Sequence, residues 1–233
     1  MYSDLFCKVY NEFGWNYYPE AFAQQLLDWM QQRNVPVKRT LDLACGTGVL
    51  SRILGQHGME AWGMDFSEGM IRIARQADPQ GHYDVADMTT YRPETRFDLV
   101  TCTGDALNHI PKLSDVEMIF RNVYGYLTEE GWFVFDLLNE REVSTSEPFD
   151  MPFTDGVSAR FQITRPAPGQ VNLQTKVFEN GVLTVEENIR ETIHDVDTVC
   201  SLLKKAGFRQ ISRQHSLLPE HNRATTWYIL AQK

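Results

Sequence analysis

LDLACGTG, residues 41–48, reads as a buried strand that breaks into a glycine turn. The strand is TLDLA (40–44), apolar and too short to be a helix. CGTG (45–48) leads into a helix carrying Leu50, Ile53 and Leu54, which Gly58 stops. Such a turn lets a ligand approach the backbone and aims helix N-terminal N–H groups at polar atoms. In an open parallel sheet, ligands bind at the carboxyl ends of the strands, near the point where strand order reverses, and the first strand–helix turn is that place. A lone G-x-G is equally an ordinary tight turn, so the flanking sequence has to decide.

Outward from this turn, strand and helix alternate. Upstream, residues 19–33 read as a helix, with Pro19 in its first turn and Ala23, Leu26, Leu27 and Met30 on one face. Downstream comes a second strand, EAWGMDF (60–66), then Ser67 as N-cap of a helix bearing Met70, Ile71 and Ala74. Third and fourth strands are expected at HYDVADM (82–88) and FDLVTCT (97–103). Ser114 and Glu117 have capping-box spacing before a helix with Val116, Ile119, Phe120, Val123 and Leu127. TEEG (128–131) reads as a turn into a fifth strand, WFVFDLL (132–138). This order is that of a doubly wound, mostly parallel sheet.

The pattern changes after the fifth strand. VSARFQITR (157–165), QVNLQTKVFE (170–179) and VLTVEENIRETI (182–193) are strand-like, and Asn180-Gly181 is the type I′ hairpin dipeptide. A small antiparallel insertion is expected, spanning 141–193, with 1–140 and 194–233 forming the main domain and 1–34 its N-terminal lid and helix. In the tail, Val196, Val199, Cys200 and Leu203 mark a helix ended by Gly207, followed by strands at 210–216 and 225–233.

Composition bounds the function. The chain has 233 residues, 42% of them hydrophobic, with a net charge of −9. That suits one large domain with an insertion. No apolar run reaches the roughly 20 residues a membrane span needs. MYSDLFCKVYNEFGW (1–15) lacks a basic region followed by an apolar stretch, so no secretory signal and a cytoplasmic location are expected. Cys7, Cys45, Cys102 and Cys200 are scattered, which argues against a disulfide scaffold or a zinc site. There is no basic stripe of the kind that phosphate neutralisation demands, so a small molecule is expected as partner rather than nucleic acid.

Two acids give the glycine turn its meaning. Asp65 ends the second strand, 17 residues after Gly48, where a carboxylate can accept hydrogen bonds from a ribose diol. Asp87-Met88 follow the third strand, where an acid can accept from an adenine amino group and a thioether can pack on the ring. A dinucleotide fingerprint wants a third glycine against the pyrophosphate, and this chain has Ser51 there. A nucleoside ligand with a small polar tail fits better, which disfavours a nicotinamide-dependent dehydrogenase.

LDLACGTGVLS (41–51), GMDFSEGMI (63–71), ADM (86–88) and FDLVTCTGDALNHI (97–110) resemble the ordered motifs of class I S-adenosylmethionine (SAM)-dependent methyltransferases. LTEEGWFVFDLLN (127–139) resembles the following segment of small-molecule members. The likeness extends to the branch with a β insertion after the fifth strand, which includes amino-sugar and glycine/sarcosine N-methyltransferases. The resemblance implies a seven-stranded sheet of order 3-2-1-4-5-7-6 with the last strand antiparallel. It implies SAM as cofactor, with Ala44, Gly46 and Gly48 along its methionine part and the backbone of Cys102 and Thr103 beside them. Asp65 would hold the ribose, Phe66 and Met70 would flank the adenine, and Asp87 and Met88 would meet its edge. VYNEFGWNYY (9–18) resembles a lid whose Tyr10 and Tyr18 close over the cofactor.

Methyl transfer is an in-line displacement, for which proximity and orientation supply as much as about 7–11 kcal/mol. TGDALNHI (103–110) carries the candidate acceptor-side groups Asp105, Asn108 and His109, with His109 as candidate base. Asp136 and Asn139 lie past the fifth strand. Arg160, Phe161 and Arg190 lie on the insertion, expected to cover the acceptor, and Trp15 lies in the aromatic run with Phe13, Tyr17 and Tyr18. The D/N-P-P-Y segment of nucleic-acid amide methyltransferases is absent after the fourth strand. The expected activity is N- or O-methylation of a small molecule by a monomer or homodimer, with a non-catalytic SAM-binding sensor as the alternative.

Overall fold

The computed structural model describes residues 6–7, 10–11, 14–141, 143–153, 156–217 and 226–233. Five helices and eleven strands follow in order: α1 (Tyr17–Arg33), β1 (Arg39–Leu43), α2 (Val49–Gln56), β2 (Glu60–Asp65), α3 (Glu68–Ala77), β3 (His82–Val85), β4 (Phe97–Cys102), α4 (Leu113–Tyr126), β5 (Leu127–Leu138), β6 (Phe149–Pro152), β7 (Val157–Thr164), β8 (Gln170–Glu179), β9 (Val182–Thr192), α5 (Val196–Ala206), β10 (Gln210–Gln214) and β11 (Thr226–Gln232). The main sheet runs β10-β11-β5-β4-β1-β2-β3, the expected order with β11 as the seventh strand. Neighbours from β3 to β5 pair parallel, and β11 runs antiparallel to both β5 and β10.

Alternation along β5 explains the layering. Phe133, Phe135 and Leu137 join Val116, Ile119, Phe120 and Val123 of α4 and Val199 and Leu203 of α5 on one face. Val134 points to the other face, where Phe22, Leu26 and Trp29 of α1 and Leu50 and Leu54 of α2 pack with Tyr228 and Leu230. Each fully buried large apolar side chain is worth about 1.5–3 kcal/mol, so the two layers hold the strands in one register.

The insertion is a separate antiparallel sheet, β6-β7-β8-β9. Its pairing puts Phe161, Thr175 and Glu187 side by side, and Val171 beside Glu191. Odd-numbered residues therefore share one face. That face carries Ala159, Phe161, Val177, Val185 and Ile189, which pack on Phe6, Tyr10 and Trp15 of the N-terminal segment.

Some local expectations give way. The helix after β4 starts at Leu113 with Lys112 at the cap and no side-chain cap bond. Ser114 lies inside the first turn, and Glu117 pairs with Arg121 and Lys205 instead. β5 runs unbroken through 128–131, which bulge outward between the pairs Leu127–Phe97 and Trp132–Leu99. β6 was not anticipated; its Pro152 suits an edge strand, which needs no N–H there. Ser67 does cap α3, accepting from the Met70 N–H at 3.3 Å.

Candidate functional site

The carboxyl ends of β1, β2 and β4 meet at the glycine turn. Ala44, Gly46 and Gly48 all have positive φ, at 57°, 53° and 76°. The two glycines differ in purpose. An added Cβ on Gly48 would sit 2.8 Å from the Tyr83 ring and 2.9 Å from the Ala74 methyl, so Gly48 lets α2 close on the fold. A Cβ on Gly46 would meet nothing within 4 Å. The same holds at Gly104, after β4. Both positions leave the backbone open to approach.

Asp65 ends β2 and faces this space. Its carboxylate accepts the Gly46 N–H at 2.9 Å and the Ser67 N–H at 2.8 Å. Burial raises its pKa, while the N–H groups of Ser67, Gly46 and Phe66 oppose the rise. A carboxylate has about four lone-pair sites, so acceptor capacity remains. Phe66 beside it is 57% exposed, an apolar ring that no packing accounts for. Met70, by contrast, is buried in α3. Asp87 binds the Thr89 N–H and hydroxyl through one oxygen, at 2.8 and 2.7 Å. Met88 packs against the main core. Cys102 is fully buried, so only its backbone borders the site, and Thr103 is half-buried.

Tyr10 and Asn11 lie beside the strand ends. Asn11 accepts the Thr47 hydroxyl at 2.9 Å, tying the segment to the glycine turn. The Tyr10 ring meets Trp15 edge-on with centroids 4.9 Å apart, and Trp15 reaches Phe161 at 6.0 Å. Burial, then the charges of Asp65 and Asp105, push the Tyr10 hydroxyl up to about 12, so it stays protonated between the two acids. Val9 and Phe13 lie outside the described residues. Tyr17 is exposed.

On the β4 side, Asp136 is the keystone. It is fully buried and accepts the N–H groups of Gly104 and Asp105, each at 2.9 Å, and the Tyr18 hydroxyl. Tyr18 therefore braces the turn after β4. Asn108 is also fully buried, donating to the Thr192 carbonyl at 2.8 Å and accepting the Leu138 N–H at 3.1 Å. Asn139 is buried and accepts the Arg141 N–H at 3.4 Å. His109 closes a single 3₁₀ turn, Ala106–His109, with its side chain 34% exposed at the rim. Arg160 and Arg190 sit on even positions, hence on the outer face of the insertion, and Arg160 is engaged by Asp150 at 2.7 Å.

Two groups escaped the sequence reading. Asp42, buried in β1, accepts the Thr101 hydroxyl at 2.7 Å, and burial pushes its pKa up to about 7. Glu191 lies 3.8 Å from His109 Nε2, and burial, then the Asp136 charge, pushes it up to about 7. Its signal was legible in VLTVEENIRETI, where Glu191 shares the parity of Val185 and Ile189 and so the buried face.

The sheet order, the glycine turn after β1 and the acid after β2 define the class I SAM-dependent methyltransferase fold. Residues 40–131 match the family model of the methyltransferase domain. The matched segment is a methyltransferase domain, and the fold is shared with SAM-dependent methyltransferases of known structure. Among relatives, YqeM of Bacillus subtilis (strain 168), a methyltransferase by its name, is 31% identical over 156 residues, which is 64% of this chain and 60% of YqeM. The chain spans about half the length of other curated relatives it matches. A SAM-dependent methyltransferase from Clostridium acetobutylicum superposes with a TM-score of 0.80 at 20% identity, covering 91% of each chain. CalS10, an amino pentose methyltransferase from Micromonospora echinaspora, gives 0.77 at 17% identity, covering 100% of this chain and 98% of its own. These structural likenesses are of fold.

Proposed function

We propose that this chain transfers the methyl group of SAM to a nitrogen or oxygen of a small molecule in the cytoplasm. The observation that carries the reading is the arrangement at the carboxyl ends of β1 and β2: an open, positive-φ Gly46 whose N–H is held by Asp65, beside the exposed Phe66 ring. Asp65 would hold the ribose and Phe66 would cover one face of the adenine. Asp87 and Met88 would border its edge. Gly46, Ala44 and the backbone of Cys102 and Thr103 would line the methionine part, and Tyr10 would close over it. When bound, SAM supplies an electrophilic methyl carbon on a sulfonium.

The protein's own task is then to align an acceptor, exclude water and receive a proton. Trp15 and Phe161, whose rings pack together, would cover the acceptor with apolar surface. His109 sits at its rim with a depressed pKa, caused by desolvation, so the imidazole is neutral near pH 7 and able to act as base. Asp105 and the insertion's inner face complete the acceptor side. CalS10, an amino pentose methyltransferase by its name, shares this fold, which makes amino sugars one acceptor class to try.

Thermal melts with SAM, S-adenosylhomocysteine and NAD test the cofactor. Stabilisation by the first two and not by NAD is expected. A shift with NAD alone sinks the reading. Labelled SAM offered with amine, hydroxyl and carboxyl metabolites then tests turnover; binding without transfer to any of them favours a sensor.

A further inference from the structure

We propose that Glu191 is a positioning residue for His109, and that together they take the acceptor's proton; this rests on the methyl-transfer reading above. The pair is registered by bonds on both sides of it. Asn108 Nδ2 donates to the Thr192 carbonyl at 2.8 Å, and His194 Nε2 meets the Ile110 carbonyl at 2.8 Å. Between them, His109 Nε2 faces Glu191 Oε1 at 3.8 Å. Contacts 108/192, 109/191 and 110/194 thus stitch the turn after β4 to the end of β9. Asn108 is itself anchored to the end of β5 through the Leu138 N–H. The inserted sheet therefore delivers one carboxyl to one imidazole in a fixed register.

The chemistry follows from the orientation. With Nε2 turned to Glu191, Nδ1 is the nitrogen left to face an acceptor. As the acceptor's lone pair closes on the methyl carbon, the C–S bond electrons stay with sulfur as a thioether. The acceptor's N–H or O–H proton goes to Nδ1, and Glu191 stabilises the imidazolium, as a carboxylate does behind a catalytic histidine. The other titratable groups facing Glu191 are Asp105 and Asp136. Burial pushes Glu191 up to about 7 and His109 down, so the imidazole is neutral where the carboxyl sheds its proton.

The test is an imidazole ¹⁵N NMR titration of the full chain, wild type against Glu191→Gln and Glu191→Asp, with His109→Gln to assign the signals. In the wild type, the His109 nitrogens should report two steps, one with a midpoint near 7 belonging to Glu191. Glu191→Gln should leave a single step, the one near 7 having gone with the carboxyl that causes it. Glu191→Asp should restore the second step. A single wild-type step, or identical curves in wild type and Glu191→Gln, overturns the proposal, and the wild-type curve decides even where a variant fails to fold. Calorimetry with S-adenosylhomocysteine on the same samples separates the two layers. No binding to the wild type sinks the methyl-transfer reading, and with it the proton-accepting role. Normal binding with an unresponsive His109 sinks the pairing alone.

Discussion

The Asp65 carboxylate accepts the Gly46 N–H at 2.9 Å, so the acid that ends β2 also fixes the turn that ends β1. The two features proposed to hold SAM are therefore one unit. Asp65→Ala is expected to weaken S-adenosylhomocysteine binding by about 1.5–3 kcal/mol, the range for hydrogen bonds to a charged group. Isothermal calorimetry measures it. An unchanged affinity would remove Asp65 from the ribose role.

Gly46 and Gly48 should fail in different ways. Gly48→Ala drives a methyl to 2.8 Å from the Tyr83 ring in a left-handed backbone, and should cost roughly 1–3 kcal/mol of stability. Gly46→Ala meets open space, so its main stability cost is the left-handed φ, about 1–2 kcal/mol. Its added methyl should nonetheless abolish the thermal shift given by S-adenosylhomocysteine. Melts of both variants with and without ligand decide. A Gly46→Ala protein that still shifts by the wild-type amount would move the cofactor away from this turn.

The doubly wound sheet was readable because each buried strand is bounded by its own turn chemistry. LDLACGTG with Asp65 pointed to the carboxyl ends of β1 and β2, and the fold puts them together. What sequence could not supply was which polar side chains face inward. Asp136 and Asn108 looked like acceptor ligands, yet both are fully buried with backbone partners. Arg160 and Arg190 looked like a cover, yet strand parity turns them outward. β6 was missed because FDMP is only four residues long and ends on a proline, too short for its alternation to mark a strand.

Tyr18→Phe probes the brace under the β4 turn. The lost hydroxyl leaves the fully buried Asp136 carboxyl with one partner fewer, at an expected cost of about 1–3 kcal/mol. The Tyr18 hydrogen bond also lowers the Asp136 pKa, which burial raises. Removing it raises that pKa further, so the loss should be larger at pH 8 than at pH 5. Urea denaturation at the two pH values tests this. Equal losses would mean that Asp136 does not change its charge between the two pH values.

Thr175 tests the inserted sheet. Its hydroxyl is fully buried on the inner face of β8 and makes no hydrogen bond among the described residues. Valine has nearly the same shape without the unmet polar group, whose burial costs about 1–3 kcal/mol. Thr175→Val should therefore raise the melting temperature, with ligand binding unchanged. A lower melting temperature would show that the hydroxyl has a partner in the folded protein.

Asp42 sets the sharpest pH prediction. Burial holds its folded-state carboxyl up to about 7, against an ordinary value near 3.8. A carboxyl with a raised folded pKa keeps its proton more tightly when folded than when unfolded. Its contribution to stability is full below pH 4 and is lost as pH rises towards 7. Asp42→Asn cannot titrate and can still meet the Thr101 hydroxyl, so it should flatten the stability curve between pH 4 and 7. It should also make the protein relatively more stable than wild type at the upper end of that range. Denaturant midpoints across the range measure both effects. A parallel curve for the variant would place the Asp42 pKa at its ordinary value and assign the slope to Glu191 and Asp105.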